Sequence, residues 1–338
     1  LLPQYEGKIK CIYIDPPYNT GNEGWIYNDN VNDPKIKKWL GEVVGKEGED
    51  LSRHDKWLCM MYPRLVLLQK LLAEDGAIFI SIDDNEHANL LLVCNEIFGS
   101  NNFIQDIIWN KRVSPARDAK FFSTDHEYIL VYSKNKESLT THFLPRTEKN
   151  NSYYKNPDND PRGPWNSAAY TCNKSRDERP NLYYPITNPY TGEKIFPKES
   201  AVWAYSEETY QQHVRDNLLY WGVNGEAKQP RKKAFLSEVG DVVPRSVWSH
   251  SDVGSTQKAT MENNTIFNMR AFSYPKVSTL VERIIQIASD KDSIVLDSFA
   301  GSGTTAHAVL NMNKSDGGNR KFILVEMGDY ADTITAER

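Results

Sequence analysis

Four residues near the start of the chain, Asp15, Pro16, Pro17 and Tyr18, have types and an order that suit one kind of chemistry. They follow the apolar run Cys11-Ile12-Tyr13-Ile14, which reads as a buried strand ended by an acid and two prolines. Proline nitrogens donate no hydrogen bond, and each proline keeps the residue before it extended, so the carbonyls of this turn point in fixed directions. A carboxylate, a carbonyl and a flat ring within a few residues can grip the exocyclic amino group of a nucleobase. Two acceptors, one on each N–H, draw that nitrogen toward tetrahedral geometry and restore the lone pair that the ring delocalises, while the aromatic stacks on the base. No strong base is needed, because the proton leaves readily once the nitrogen is alkylated; positioning and electrostatics supply the catalysis. Read alone, the same residues also describe a turn with a solvated acid and a core tyrosine.

A second candidate lies near the other end of the chain. Ser293 to Asp297 reads as a strand, Ser298 to Ala306 as a glycine turn, then come a helix to about Asn313 and a strand from Lys321 to Glu326. Strand, glycine turn, helix, strand and acid is the pattern of an adenosine-containing cofactor. Gly301 and Gly303 let the backbone approach the ligand, and Glu326 can accept from ribose hydroxyls. Gly301-Ser-Gly303-Thr-Thr-Ala306 also fits a nicotinamide dinucleotide, whereas His307, where a lysine is required, excludes a Walker phosphate loop. In a doubly wound sheet of order 3-2-1-4-5, the first and fourth strands are neighbours at the switch point where ligands bind. With Ile294 to Asp297 as first and Ile9 to Ile14 as fourth, both turns face one crevice, and the chain is a permuted form of that sheet with its catalytic half first. A hydride-transfer enzyme, the NAD-dependent dehydrogenase alternative, has no task for an Asp-Pro-Pro-Tyr turn. Methyl transfer from S-adenosylmethionine to an amine has one.

The elements that must position these turns are legible between them. A polar, glycine-rich stretch from Asn19 to about Asp50 reads as a mobile lid beside Asp15. Leu58, Met61, Leu65, Leu68 and Leu72 mark an amphipathic helix that starts near Ser52 and ends at Glu74-Asp75-Gly76. Ala77 to Ile82 is then a buried strand and Asn85 to Phe98 a helix, with a hairpin of Phe103 to Trp109 and Glu127 to Tyr132 at the sheet edge. From about Ser133 to Asn268 periodicity fades, and aromatics such as Trp165, Tyr170, Tyr184 and Trp203 alternate with cations, as a nucleic-acid surface requires. Many of these aromatics must also form that region's own core.

Composition narrows the class. A chain of 338 residues with a net charge of -5 is one large domain with an insertion, or two modest ones, and not a generally basic nucleic-acid binder. The four cysteines, Cys11, Cys59, Cys94 and Cys172, form no Cys-x-x-Cys pair, which argues against a zinc site or a disulfide framework. The first three read as buried thiols of a cytoplasmic protein. No apolar run reaches membrane-spanning length. The missing initiator Met and a first strand within ten residues suggest a chain cut from a longer one.

The sequence resembles the adenine-N6 DNA methyltransferases whose Asp-Pro-Pro-Tyr motif comes first, and is most similar to the modification subunit of type III restriction-modification systems. Ile14 to Gly21, Gly76 to Asp83, Asp160 to Trp165, Val247 to Thr256 and Asp297 to Thr305 carry the resemblance. It implies an α/β fold, a Rossmann-like S-adenosylmethionine-dependent methyltransferase sheet in permuted order with an inserted, irregular β-rich target-recognition region. The expected divisions are 1–132 (catalytic half), 133–268 (target recognition) and 269–338 (cofactor half). Asp15, Pro16, Pro17 and Tyr18 would form the target-amine site. Asp297, Phe299, Gly301, Gly303, Thr304 and Glu326 would bind the cofactor, with Lys276, in a loop from Phe272, near its methionine carboxylate; relatives often have a second proline where Val277 stands. Arg112, Lys174, Arg176, Arg179, Arg231, Lys232 and Lys233 are the candidate contacts to double-stranded DNA. Cytosine-N4 enzymes usually carry Ser at the Asp15 position, so Asp favours adenine. A second copy of the chain and a restriction (nuclease/helicase) subunit are the candidate protein partners, at the nucleoid, with no metal.

Overall fold

The computed structural model describes residues 1–20 and 48–338. The stretch read as a lid lies, from residue 21 to 47, outside the described residues. Two compact units emerge, one formed by Leu1–Leu144 with Val243–Arg338 and the other by Pro145–Val242.

In the first unit the strands are, in chain order, β1 (Ile9–Ile14), β2 (Leu72–Ile82), β3 (Phe103–Asn110), β4 (His126–Ser133), β5 (Val247–Trp248), β6 (Ile294–Asp297) and β7 (Lys321–Leu324). Across the sheet they run β5-β3-β4-β2-β1-β6-β7. β2, β1, β6 and β7 are parallel neighbours, while β4 runs antiparallel between β2 and β3. The expected adjacency of the two halves is present: Cys11 lies opposite Val295 and Ile12 opposite Leu296.

Both faces of this sheet are covered, so its strands read as continuous apolar runs. Cys11, Tyr13, Phe79, Val131 and Val295 face one core with Leu280, Val281 and Ile284 of helix Ser278–Ala288. Ile12, Ile14, Ile78, Ile80, Leu130 and Leu296 face the other, with Trp57, Met61 and Leu65 of helix Gly48–Leu71. Each such side chain contributes roughly 1.5–3 kcal/mol when fully buried, which makes β1 a rigid mount for the turn that follows it.

Several boundaries differ from the sequence reading. The first long helix begins at Gly48 and stops at Leu71, and Glu74-Asp75-Gly76 belongs to β2 rather than to a helix end. Gly76 is needed there because a Cβ would meet the carbonyl oxygen of Ile9 at 2.8 Å, where the pairing of β1 with β2 shifts register. The β3–β4 hairpin is not at the edge, since β5 pairs along its outer side. Of the cysteines, Cys11 and Cys94 are buried, but Cys59 is exposed on the outer face of its helix.

The second unit is narrower than the 133–268 stretch delimited by composition. His142 N–H donates to the carbonyl of Ile287 at 2.8 Å, while Leu139 and Leu144 pack on the first unit's core, as does Val253. Within the second unit, Arg231–Phe235 pairs antiparallel with Leu219–Tyr220 and Trp165–Ala169. Its small core is aromatic, built from Tyr170, Tyr184, Trp203, Tyr210 and Trp221 around Ile186. Helix Glu207–Arg215 opens with Ser206, whose hydroxyl accepts from Thr209 N–H at 3.3 Å.

Candidate active site

Asp15 follows directly on β1, at the edge of the sheet where the parallel strands end. Its Oδ1 lies 2.8 Å from Lys276 Nζ and 2.9 Å from the Tyr18 hydroxyl. That hydroxyl is also 2.9 Å from Glu127 Oε2, and having one proton it can donate to only one carboxylate at a time. It accepts from Lys276 Nζ at 2.7 Å, and the same ammonium stands 3.2 Å from Glu127 Oε2 and 4.8 Å from the centre of the Tyr18 ring. Lys111 closes the array on Glu127 Oε1 at 2.9 Å. Two acids and two ammonium groups thus balance around one phenol.

The electrostatics follow from that balance. Burial pushes the Asp15 carboxyl above its ordinary value, opposed by Lys276 and reinforced by Glu127. Burial acts the same way on Glu127, but there Lys276 and Lys111 outweigh it and hold the carboxyl below the usual range. Burial disfavours the Lys276 ammonium, yet Asp15 and Glu127 keep it charged and raise its pKa. The Tyr18 phenol is pushed well up, by burial and by both carboxylates, and stays protonated. Glu127 and Lys111 were absent from the sequence candidates. Their one visible signal is an acid at the start of the otherwise apolar strand Glu127 to Tyr132. Lys276, which the resemblance sets near the cofactor, has its ammonium on the Asp15 turn and its carbonyl on Thr304 of the glycine turn.

The turn itself is braced from behind. The Pro17 carbonyl accepts from the Trp57 indole at 2.7 Å, so this acceptor is committed to the fold. Buried Asn19 has φ +59 and gives its amide to the Glu86 carboxylate, while its carbonyl accepts from Arg53 at 2.6 Å.

The glycine turn sits at the end of the neighbouring strand. Asp297 accepts from Phe299 N–H at 2.9 Å and from the Thr305 hydroxyl at 2.5 Å. Its carboxyl is pushed up to about 7, chiefly by burial. Asp297 therefore shapes the turn from beneath and does not reach outward. Glu326 accepts from the N–H groups of Gly301, Met327 and Gly328, each at 2.8 Å, and Tyr330 stands beside it, so most of its acceptor capacity is spent on the turn. Thr304 donates to the Lys276 carbonyl at 3.1 Å and accepts from Arg338 at 3.0 Å, so its hydroxyl too is committed. Gly303 has φ +78, and a Cβ there would meet the Thr335 carbonyl at 2.7 Å. Its missing side chain makes room for the chain's own Ala331–Thr335 turn, whereas Gly301 lies open toward the ring of Phe272, 3.4 Å from where a Cβ would be.

An adenosine-bearing cofactor fits what remains. A groove of about 410 Å³ is lined by Leu296, Ser298, Val325 and Met327 together with Leu1, Leu2, Pro3 and the Arg64, Leu67, Leu68 and Leu71 side of the Gly48–Leu71 helix, and the Ser298 hydroxyl is buried without a hydrogen-bond partner among the described residues. A polar group on Ser298 and a hydroxyl on Glu326 would use what the turn leaves free. Gly303→Val is expected to abolish S-adenosylmethionine binding in calorimetry, because it combines a left-handed φ with a clash against backbone. Unchanged affinity would place the cofactor elsewhere.

The candidate DNA contacts separate into two groups. Lys233 is a correction: it is 2 % exposed and ion-paired with Asp158 at 2.5 Å and Asp160 at 2.8 Å, so no phosphate can reach it. Position on the strand decides this, since Arg231 and Lys233 point to one face and only the first lies at the rim. Arg176, Arg179, Arg231, Lys174 and Arg112 are exposed, and Lys232 is half-buried over the Tyr205 ring. Among the described residues no cluster suited to a metal ion is present, and no helix is long and apolar enough to cross a membrane.

A sheet of this order with a glycine turn and an acidic proline turn side by side at its switch point is the Rossmann-like methyltransferase fold. The chain belongs to the N6_N4_Mtase family of DNA methylases, which matches residues 9–337. It is 37% identical over 338 residues to the StyLTI Mod subunit, a type III restriction-modification enzyme of Salmonella typhimurium, covering 96% of this chain and 50% of that protein. It is 33% identical to the EcoPI Mod subunit of Escherichia phage P1, covering 96% of this chain and 55% of that one. The type II methyltransferase M.KpnI of Klebsiella pneumoniae is 34% identical, with 94% of this chain and 75% of that protein covered. The chain thus spans about half the length of its type III relatives.

Proposed function

We propose that this chain is the catalytic part of a site-specific DNA methyltransferase that moves a methyl group from S-adenosylmethionine to N6 of an adenine extruded from double-stranded DNA. The observation that carries the reading is the parallel pairing of Cys11 with Val295 and Ile12 with Leu296, which sets the Asp15 turn and the Asp297 to Gly301 turn side by side. When bound, the cofactor supplies an electrophilic methyl group on a sulfonium. Phe299, Gly301, Ser298 and Glu326 would hold it. Asp15 accepts one N–H of the target amine, the Pro16 carbonyl accepts the other, and Tyr18 stacks on the base. Lys276, poised between Asp15 and Glu127, keeps the pocket near neutrality while the base is absent and can withdraw to Glu127 when the amine takes its place on Asp15.

Asp at position 15, where cytosine-N4 enzymes usually have Ser, supports adenine. Exposed cations of Pro145–Val242 support a role for that unit in target recognition, with most of them fixing phosphates and a few side chains reading base edges. By likeness to the Mod subunits, a restriction subunit and a second copy of the chain are the proposed partners. The test is to incubate the full-length protein with methyl-labelled S-adenosylmethionine and DNA, then digest to nucleosides. Label in N6-methyladenine is expected; label in N4-methylcytosine alone, or none, overturns the reading. Exchanging Pro145–Val242 for the matching unit of a relative should move methylation to the relative's site. A swapped protein that still modifies the original sequence would sink the recognition role.

A further inference from the structure

The segment from Lys111 to Asp125 joins β3 to β4. Because β4 runs antiparallel to β2, and β3 antiparallel to β4, this loop leaves the sheet at the same edge as Asp15. Its stem is tied shut: Lys111 N–H donates to the Asp125 carbonyl at 2.9 Å, and Ala116 N–H donates to the Ser123 hydroxyl at 2.7 Å. The stem is also part of the site, since Lys111 Nζ is 2.9 Å from the Glu127 carboxylate that faces the Tyr18 hydroxyl. At the tip, Phe121 is 82% and Phe122 91% exposed. Single exposed apolar residues are ordinary, but two adjacent phenylalanines held clear of every core carry a standing hydration cost. Lys120, exposed, holds its ammonium 5.3 Å from the Phe121 ring centre; the same loop carries exposed Arg117 and Asp118, and exposed Arg112 at its stem, 3.9 Å from Asp125. Cations on one loop with a projecting aromatic pair match a polyanion whose interior is a stack of flat rings.

We infer that the Lys111–Asp125 loop is a wedge. Its phenylalanines enter the duplex beside the target adenine and occupy the space in the base stack that the extruded base leaves, while Arg112, Arg117 and Lys120 hold the flanking phosphates. This inference rests on the proposed DNA-methylating reading and assigns it the element that opens the stack. Phe121 and Phe122 are positioning residues: they act on the duplex and do not touch the reacting nitrogen.

The double variant F121A/F122A of the full-length protein tests this on duplexes carrying the sequence that the unmodified protein methylates. One duplex has the target adenine paired, and the other has it opposite an abasic position, where the cost of extrusion is already reduced. The variant should lose about tenfold or more in methylation rate on the paired target and little on the unpaired one. A 2-aminopurine placed at the target should brighten with the unmodified protein and stay dim with the variant. F121W/F122W should restore both. Equal losses on the two duplexes, or undiminished rate and brightening, would overturn the wedge. An unmodified protein that methylates no DNA would remove the proposed function itself, which separates the two failures.

Discussion

Replacing Asp15 with alanine lowers the methyl-transfer rate by at least about a hundredfold, because a charged acceptor at the reacting nitrogen acts chiefly in the transition state. S-adenosylmethionine affinity should change little, since among the described residues this carboxylate is bonded to Tyr18 and Lys276 and to no residue of the glycine turn. Measured together, the two quantities distinguish a lost catalytic contact from a collapsed site. The structure adds a pH signature. Burial raises the Asp15 pKa despite Lys276, and only the ionised form offers the target amine a charged acceptor. The rate should therefore fall as pH drops through that raised value, placing the acid limb of the profile above the ordinary carboxylate range. Turnover near that of the unmodified protein would show that the turn has another role.

Lys233→Met is the second large effect, and it concerns stability. The Asp160 side chain is fully buried, held by Arg162 at 2.7 Å and Lys233 at 2.8 Å. Removing one partner of a buried ion pair costs on the order of 3 kcal/mol, which should appear as a lower urea midpoint for the Pro145–Val242 unit. The Arg162 guanidinium, opposed by burial and helped by Lys233, holds Asp160 well below the usual carboxylate range. A depressed folded pKa contributes stability above the unfolded value of about 3.9 that is lost as pH falls toward the folded one. Acid should thus weaken the unmodified unit more than the variant. If Lys233→Met left stability intact and only weakened DNA binding, Lys233 would be a surface contact after all.

Lys233 also shows where sequence reading runs out. A cation in a basic run looks like a phosphate contact until strand pairing decides which face it occupies, and the partners, Asp158 and Asp160, lie on a separate turn. The contacts of Lys276 with Asp15 and Glu127 were likewise not legible: a long side chain reaches whichever acids the fold brings near. Glu127 and Lys111 could not be found from spacing, because their roles arise only once β3 and β4 lie beside β2. By contrast, the central adjacency of β1 with β6 was legible. It needed only two apolar runs, each ended by a turn with its own chemistry, and the rule for strand order in a doubly wound sheet. Short elements, such as Val247–Trp248 at the edge, carry too few residues for any periodicity to mark them.

The pairing of Ile12 with Leu296 also sets a schedule for synthesis. At roughly 5–20 residues per second, tens of seconds pass between the emergence of β1 from the ribosome and that of its partner. During that interval β2 can cover one side of β1, but the other side remains an open edge of unpaired N–H and C=O groups. Closing so long a loop is slow, and an open edge invites pairing with other chains. Yield in the cell should accordingly depend on chaperone supply and translation rate more than the stability of the finished sheet would suggest.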